Sequence, residues 1–203
     1  MNKIRLRFDV DYAYTSRLKS FLHMQHPKTS SPDYLMNAQI IAQAINTSNL
    51  DVEAYWFFTP YTIPNKPLLQ LLSNKKHHIG LHIINNPQRE LRALQLATEM
   101  PILYYTIHGT TNILSQLIWH RQIGQKTLEI EHFPLQKLSA PTFSFDKACY
   151  KCPIEKAVQF AYEEISVNHI LSMHPEWLFK SNKKDRGPFY EPLTNILLSK
   201  YPI

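Results

Sequence analysis

Along the first residues of the chain, apolar and polar positions alternate strictly. Ile4, Leu6, Phe8 and Val10 fall on one side, and Arg5, Arg7 and Asp9 on the other. A period of two predicts a strand with one packed face and one polar face. Similar β-branched and aromatic runs predict strands at Ile4–Val10, Val52–Phe58, His78–Ile83, Leu103–His108 and Ile170–His174, with a short sixth at Thr142–Phe145. Between them lie segments of helical period: 32–46, with Ser31 as cap, Pro32 at the first helical position and Asp33 in the first turn, then Lys66–Ser73, Gln88–Glu99, Asn112–Gln122, Ile154–Ser166 and Glu191–Ser199. Strand and helix in alternation predict an α/β protein with mainly parallel strands, as an open sheet or a barrel. The stretch 124–152 around Pro141 yields no clear element. No repeat or linker interrupts the 203 residues, so a single domain over 1–203 is expected.

Composition removes several function classes. Only four glycines occur, well below the roughly 7% of an average chain. Neither a phosphate-binding G-x-x-x-x-G-K loop, a G-x-G-x-x-G dinucleotide turn nor a G-x-S-x-G elbow is present. The net charge of +6 is scattered, with its densest runs at Lys75-Lys76-His77-His78 and Lys183-Lys184-Asp185-Arg186. No nucleic-acid-binding module accompanies it, so nucleic acid is not an expected partner. No apolar run approaches the ~18 residues of a membrane span. The N-terminus enters its strand without a signal-peptide core, which makes the cytoplasm the expected location. Cys149 and Cys152 lack the second pair a structural zinc site wants. Pro153, opening a helix behind them, keeps a redox pair open beside two reduced structural thiols. His77 and His78, following two lysines, are expected at the surface.

Parallel strands joined by right-handed crossovers all point one way, and their carboxyl ends gather on one rim. The side chains expected there are Asp9, Asp11, Thr59, His82, His108 and His174, each near a turn-former such as Pro60, Pro87, Gly109 or Pro175. Carboxylates and imidazoles on one rim suggest a divalent metal, with zinc the expected ion. One aspartate would hold the cation while the other takes a proton from a water acidified toward pKa ~7. Two like charges so close also call for a positive partner, and Arg7 shares the strand face of Asp9.

Three segments resemble the polysaccharide deacetylase (NodB-homology) family. "RFDVDY" resembles its first motif, "HHIGLHIINNP" its second and "ILSMHPEW" its late L-x-H-P motif. The set, with "YWFFTP", "YYTIHGT" and "RGPFYE", is most similar to the WbmS-like group associated with bacterial O-antigen gene clusters. The resemblance implies a distorted, incomplete (β/α) barrel of the glycoside hydrolase/deacetylase type. It also implies Asp9 as catalytic base, Asp11 and His82 as metal ligands, and His174 as the acid that protonates a leaving amine. The substrate it implies is an N-acylated amino sugar or a sugar nucleotide.

Two departures from the family pattern stand out. The second metal histidine, four residues after His82, is Asn86, whose amide oxygen is a poor zinc ligand. Asn86 ahead of Pro87 also reads as a helix cap, and His108 is the candidate substitute ligand. The arginine of the family's third motif is missing from "YTIHGT". Arg7, Arg17 and Arg186 are the candidate replacements, with Arg7 preferred because it lies on the Asp9 face. Trp177, Arg186 and Tyr190 are candidate substrate contacts, by stacking on a sugar ring or by meeting an anion. An amidohydrolase, a catalytically silent carbohydrate-binding protein and acyl or formyl transfer to an amino sugar all remain consistent with this pattern.

Overall fold

The computed structural model describes residues 3–11, 32–108, 127–130, 133–138, 143–144, 170–175 and 190. The elements are β1 (Ile4–Val10), α1 (Pro32–Thr47), β2 (Val52–Phe58), α2 (Lys66–Leu72), β3 (His77–Ile83), α3 (Pro87–Thr98), β4 (Tyr104–Ile107), β5 (Thr127–Ile130), β6 (Phe133–Lys137), β7 (Phe143–Ser144) and β8 (Ile170–Met173). All eight strands join one sheet in the order β5-β6-β4-β3-β2-β1-β8-β7. Every described pairing is parallel except the β5–β6 hairpin. Among the described residues β5 and β7 form the edges, which shows a parallel α/β sheet without showing its closure into a barrel. The expected helices 112–122, 154–166 and 191–199, and Ser31, Arg17, Cys149, Cys152, Trp177 and Arg186, lie outside the described residues.

The alternation in β1 carries through the sheet. One face presents Leu6, Phe8, Val10, Trp56, Phe58, Leu81 and Ile83, all at most 1% exposed. This face builds the core with Ile41 and Ile45 of α1, Leu68 and Leu72 of α2, and Leu91 and Leu94 of α3. Phe8 and Trp56 stack across the β1–β2 pair with ring centroids 4.3 Å apart. The helices begin where local chemistry dictates. Asn65 accepts from the Leu68 amide at 3.1 Å, and Asn86 from the Arg89 amide at 3.0 Å, each with proline in the first turn behind it.

Register places the opposite face in rows. Arg5 pairs with Glu53 and Ile170; Arg7 with Tyr55 and Ser172, and Tyr55 with His78. Asp9 pairs with Phe57, Phe57 with Gly80, and Gly80 with Tyr104. His82 pairs with Thr106. Charged and aromatic side chains therefore line this face from the amino ends of the strands to the carboxyl ends. Gly80 answers to its row: a Cβ there would lie 2.4 Å from the Phe57 ring, so only glycine leaves that ring its place.

Three expectations are corrected here. His77 begins β3 buried, accepting from Trp56 Nε1–H at 3.0 Å and facing Asn46 Oδ1 at 3.0 Å, while His78 is half-buried against Glu53 at 3.2 Å. Neither is a surface histidine, because the strand starts a residue earlier than its apolar run suggests. The unassigned stretch contains the β5–β6 hairpin, which holds Leu135 fully buried. Strands β4 and β8 end one residue short of His108 and His174, which stand just beyond the ladder.

Candidate metal centre

Two residues beyond Asp9, the chain leaves β1 with Asp11 on the same side and 6% exposed. His82 Nε2 lies 3.4 Å and His108 Nε2 2.8 Å from Asp11 Oδ2, while His174 Nε2 lies 2.8 Å from Oδ1. Four stretches remote in sequence thus meet at one carboxylate. The His108 amide donates to the Ile83 carbonyl at 2.9 Å, which extends the β3–β4 ladder and brings its ring beside His82, centroids 5.1 Å apart.

Distance and alignment disagree at Asp11, and the disagreement is informative. Three imidazole nitrogens stand within 3.4 Å, yet neither buried oxygen receives an aligned hydrogen bond. Buried carboxylate oxygens in folded proteins normally have such a partner. Ligand atoms of Asp11, His82 and His108 lie within 4.8 Å of one another. These atoms are close enough together to share one ion, and one oxygen with two imidazole nitrogens is a donor set suited to zinc with a position left open. A divalent cation fits this donor set. Burial pushes the Asp11 carboxyl up, and His174, His108 and His82 pull it well below the ordinary carboxylate range.

Asp9 is held differently. Arg7 Nε donates to Oδ1 at 2.8 Å and its terminal nitrogen to Oδ2 at 2.7 Å, a two-pronged pair between side chains only 11% and 13% exposed. The guanidinium also lies 5.4 Å from the centroid of Phe57, the ring seated on Gly80. Burial pushes the Asp9 carboxyl up, but Arg7, followed by His82 and His174, more than offsets this and leaves it lowered. The carboxylate is ionised and aimed by its neighbour two residues upstream.

Asn86 does not join the cluster. Its amide oxygen is occupied in capping α3, so the structure places it as a helix cap instead of a ligand. Tyr190 is partly buried against the hydrophobic core. Thr59 closes its own turn, its hydroxyl 3.0 Å from that of Thr62. Two residues escaped the sequence reading. Thr106 Oγ1 lies 2.7 Å from His82 Nδ1, and its signal was its place two residues before His108 on the same strand face. Glu90 is 6% exposed and accepts from the amides of Ile84, Asn85 and Asn86 at 2.8–3.0 Å, clamping the turn that follows His82. Its signal was a carboxylate on the buried stripe of α3 beside Leu91 and Leu94. Burial pushes the Glu90 carboxyl up, and the three backbone donors offset only part of that.

No family model and no curated protein matches the chain. Among solved structures, the chain is similar to a mutant of a CE4 family pseudoenzyme with restored enzymatic activity, with a TM-score of 0.51 at 13% identity. The chain shares the α/β fold of that protein. The match covers 96% of this chain and 61% of that one, so the chain spans about three fifths of the length of its structural relative. At that identity the likeness speaks for the arrangement of strands and helices, while the chemistry rests on the residues themselves. No helix among the described residues is long and apolar enough to cross a membrane.

Proposed function

We propose that this chain, folded as one domain on an incomplete (β/α) barrel, is a metal-dependent amidohydrolase. It removes an acetyl or formyl group from the nitrogen of an amino sugar, free or carried on a nucleotide, in bacterial surface-polysaccharide synthesis of the WbmS-like kind. One observation carries the reading: a buried carboxylate, Asp11, clustered with the ligand nitrogens of two histidines, stands two residues from a second, arginine-held carboxylate. Asp11, His82 and His108 hold the cation; Asn86 does not. When bound, zinc or a similar ion supplies Lewis-acid polarisation of the amide carbonyl and acidifies water.

The chain's own groups do the rest. Asp9, kept anionic by Arg7, accepts the proton of the attacking water. Arg7 fixes the direction in which that carboxylate can receive it. His174, 2.8 Å from Asp11, delivers a proton to the departing sugar nitrogen. Trp177, Arg186 and Tyr190 serve as sugar or phosphate contacts in this scheme.

Replacing Asp9 with Asn tests it. Release of free amine should fall by about 10²–10⁴-fold while zinc remains bound, since the base is lost and the ligands are not. Undiminished turnover would exclude Asp9 as base. The two-pronged hold on Asp9 also favours a second reading, a silent carbohydrate-binding protein, because both oxygens are already engaged. Wild-type protein that binds zinc and N-acylated amino sugars yet releases no amine would select that reading.

A further inference from the structure

His82 can offer its Nε2 lone pair toward Asp11 only if its proton sits on Nδ1, and a buried N–H needs an acceptor. Thr106 supplies one. Its Oγ1 is 2.7 Å from His82 Nδ1, and the two residues are 3% and 2% exposed. The contact is set by the sheet itself, because His82 and Thr106 are register partners across the β3–β4 pair. Threonine suits this role because its branched Cβ restricts the rotamer, so the hydroxyl stays in place when the site is empty. Two residues further along the same strand face stands His108, the other histidine of the cluster.

We propose that Thr106 is a positioning residue that fixes the ring orientation and tautomer of His82 for cation binding. Strand β4 and the residue that follows it then contribute together, with His108 as a direct ligand and Thr106 as the group that aims the ligand on β3. The register of one strand pair sets both imidazoles at once. This also accounts for a site with no histidine four residues after His82: the neighbouring strand supplies the second ring and orients the first. The inference rests on the metal-binding reading above, but it concerns how tightly the cation is held and which nitrogen holds it.

The test is zinc titration of purified full-length protein in competition with a chelator, repeated with cobalt for its absorption spectrum. Thr106→Val keeps the shape and removes the acceptor, so zinc affinity should fall by about 10–100-fold. Thr106→Ser retains a hydroxyl and should restore affinity toward that of the wild type, a rescue that a packing role alone would not produce. Heteronuclear NMR of the zinc-loaded wild type should show His82 protonated on Nδ1. Equal zinc affinity in wild type and Thr106→Val, or equal weakening by Val and Ser, overturns the assignment while leaving the metal site intact. Failure of the wild type to bind zinc or cobalt overturns the metal reading and this inference together. Should Thr106→Val not fold, the NMR result decides: His82 protonated on Nε2 in the zinc-loaded wild type refutes the proposal.

Discussion

Two carboxylates, Glu53 on β2 and Asp11 just past the end of β1, are each surrounded by basic side chains, yet they are different chemical objects. Glu53 sits at the amino end of the sheet, within 3.2–3.7 Å of Lys3, Arg5 and His78. Two of these partners are permanent cations on side chains 42% and 44% exposed. Asp11 sits at the carboxyl end, and its partners among the described residues are the imidazoles of His82, His108 and His174. A fixed cation neutralises a carboxylate and closes the question. Imidazoles do so only by taking up protons; a neutral ring can turn either its N–H or its lone pair toward the carboxylate, and with the lone pair turned inward the cluster becomes a donor set for a metal. The same face of one sheet thus holds a closed charge cluster at one end and an open one at the other.

The largest effect should come from Asp11→Asn. If the open cluster is a cation site, zinc affinity measured by equilibrium dialysis should fall by more than about 100-fold, beyond what loss of an orienting neighbour produces. The circular dichroism spectrum should keep its form, because an amide of the same shape replaces the carboxylate. Zinc retained at wild-type affinity would mean that the histidines and Asp11 merely neutralise one another, as at Glu53, and the contrast between the two ends would collapse.

A middle-sized effect belongs to a third basic group, His77 at the start of β3. His77 Nδ1 accepts from the Trp56 indole, and its Nε2 faces Asn46, so protonation would set two N–H groups against each other. Burial, aided by the charges of Lys76 and His78, lowers its pKa from 6.5 to about 4. The unfolded chain therefore binds this proton more readily than the folded one between those values. Its contribution is complete above pH 6.5, shrinks as pH falls toward 4 and is gone below that, about 3 kcal/mol in all. Urea unfolding of wild type and His77→Gln at pH 7 and pH 4.5 isolates it. The wild type should lose more stability than the variant over that interval, and parallel losses would refute the assignment.

What the sequence disclosed and what it hid have separate physical causes. Strands β1 to β4 are legible because the two-residue period of β1, the β-branched and aromatic runs of the others and the turns after them are local signals. The meeting of Asp11, His82 and His108 follows from the parallel rule, which sends strand ends to one rim whatever lies between them. His77 was misjudged because its partner, Trp56, is 21 residues away, and two preceding lysines say nothing about a tertiary acceptor. Asn86 carried two readings, and Pro87 behind it tipped the side chain toward the helix it caps. The β5–β6 hairpin was hidden by Pro134, which sits where β6 pairs with β5 alone, before Gln136 and Lys137 reach β4. Thr106 and Glu90 drew no attention because each acts through a neighbour, one on an imidazole and the other on three backbone amides.

The smallest expected effect is at the closed end, and its smallness sharpens the comparison. Glu53→Gln removes the charge that Lys3, Arg5 and His78 share, but two of those partners reach into solvent, where pairs contribute about 0–1 kcal/mol. Burial pushes the Glu53 carboxyl up, and Lys3, the Tyr55 hydroxyl and His78 bring it below its ordinary value, a balance consistent with modest stabilisation. Unfolding of the variant should differ from wild type by no more than about 1 kcal/mol, and raising salt should narrow the gap because screening weakens exposed pairs first. Zinc affinity should not change. Should Glu53→Gln instead weaken zinc binding as Asp11→Asn does, the rows of this sheet face would be coupled from end to end, and the cation site could no longer be assigned to its carboxyl rim alone.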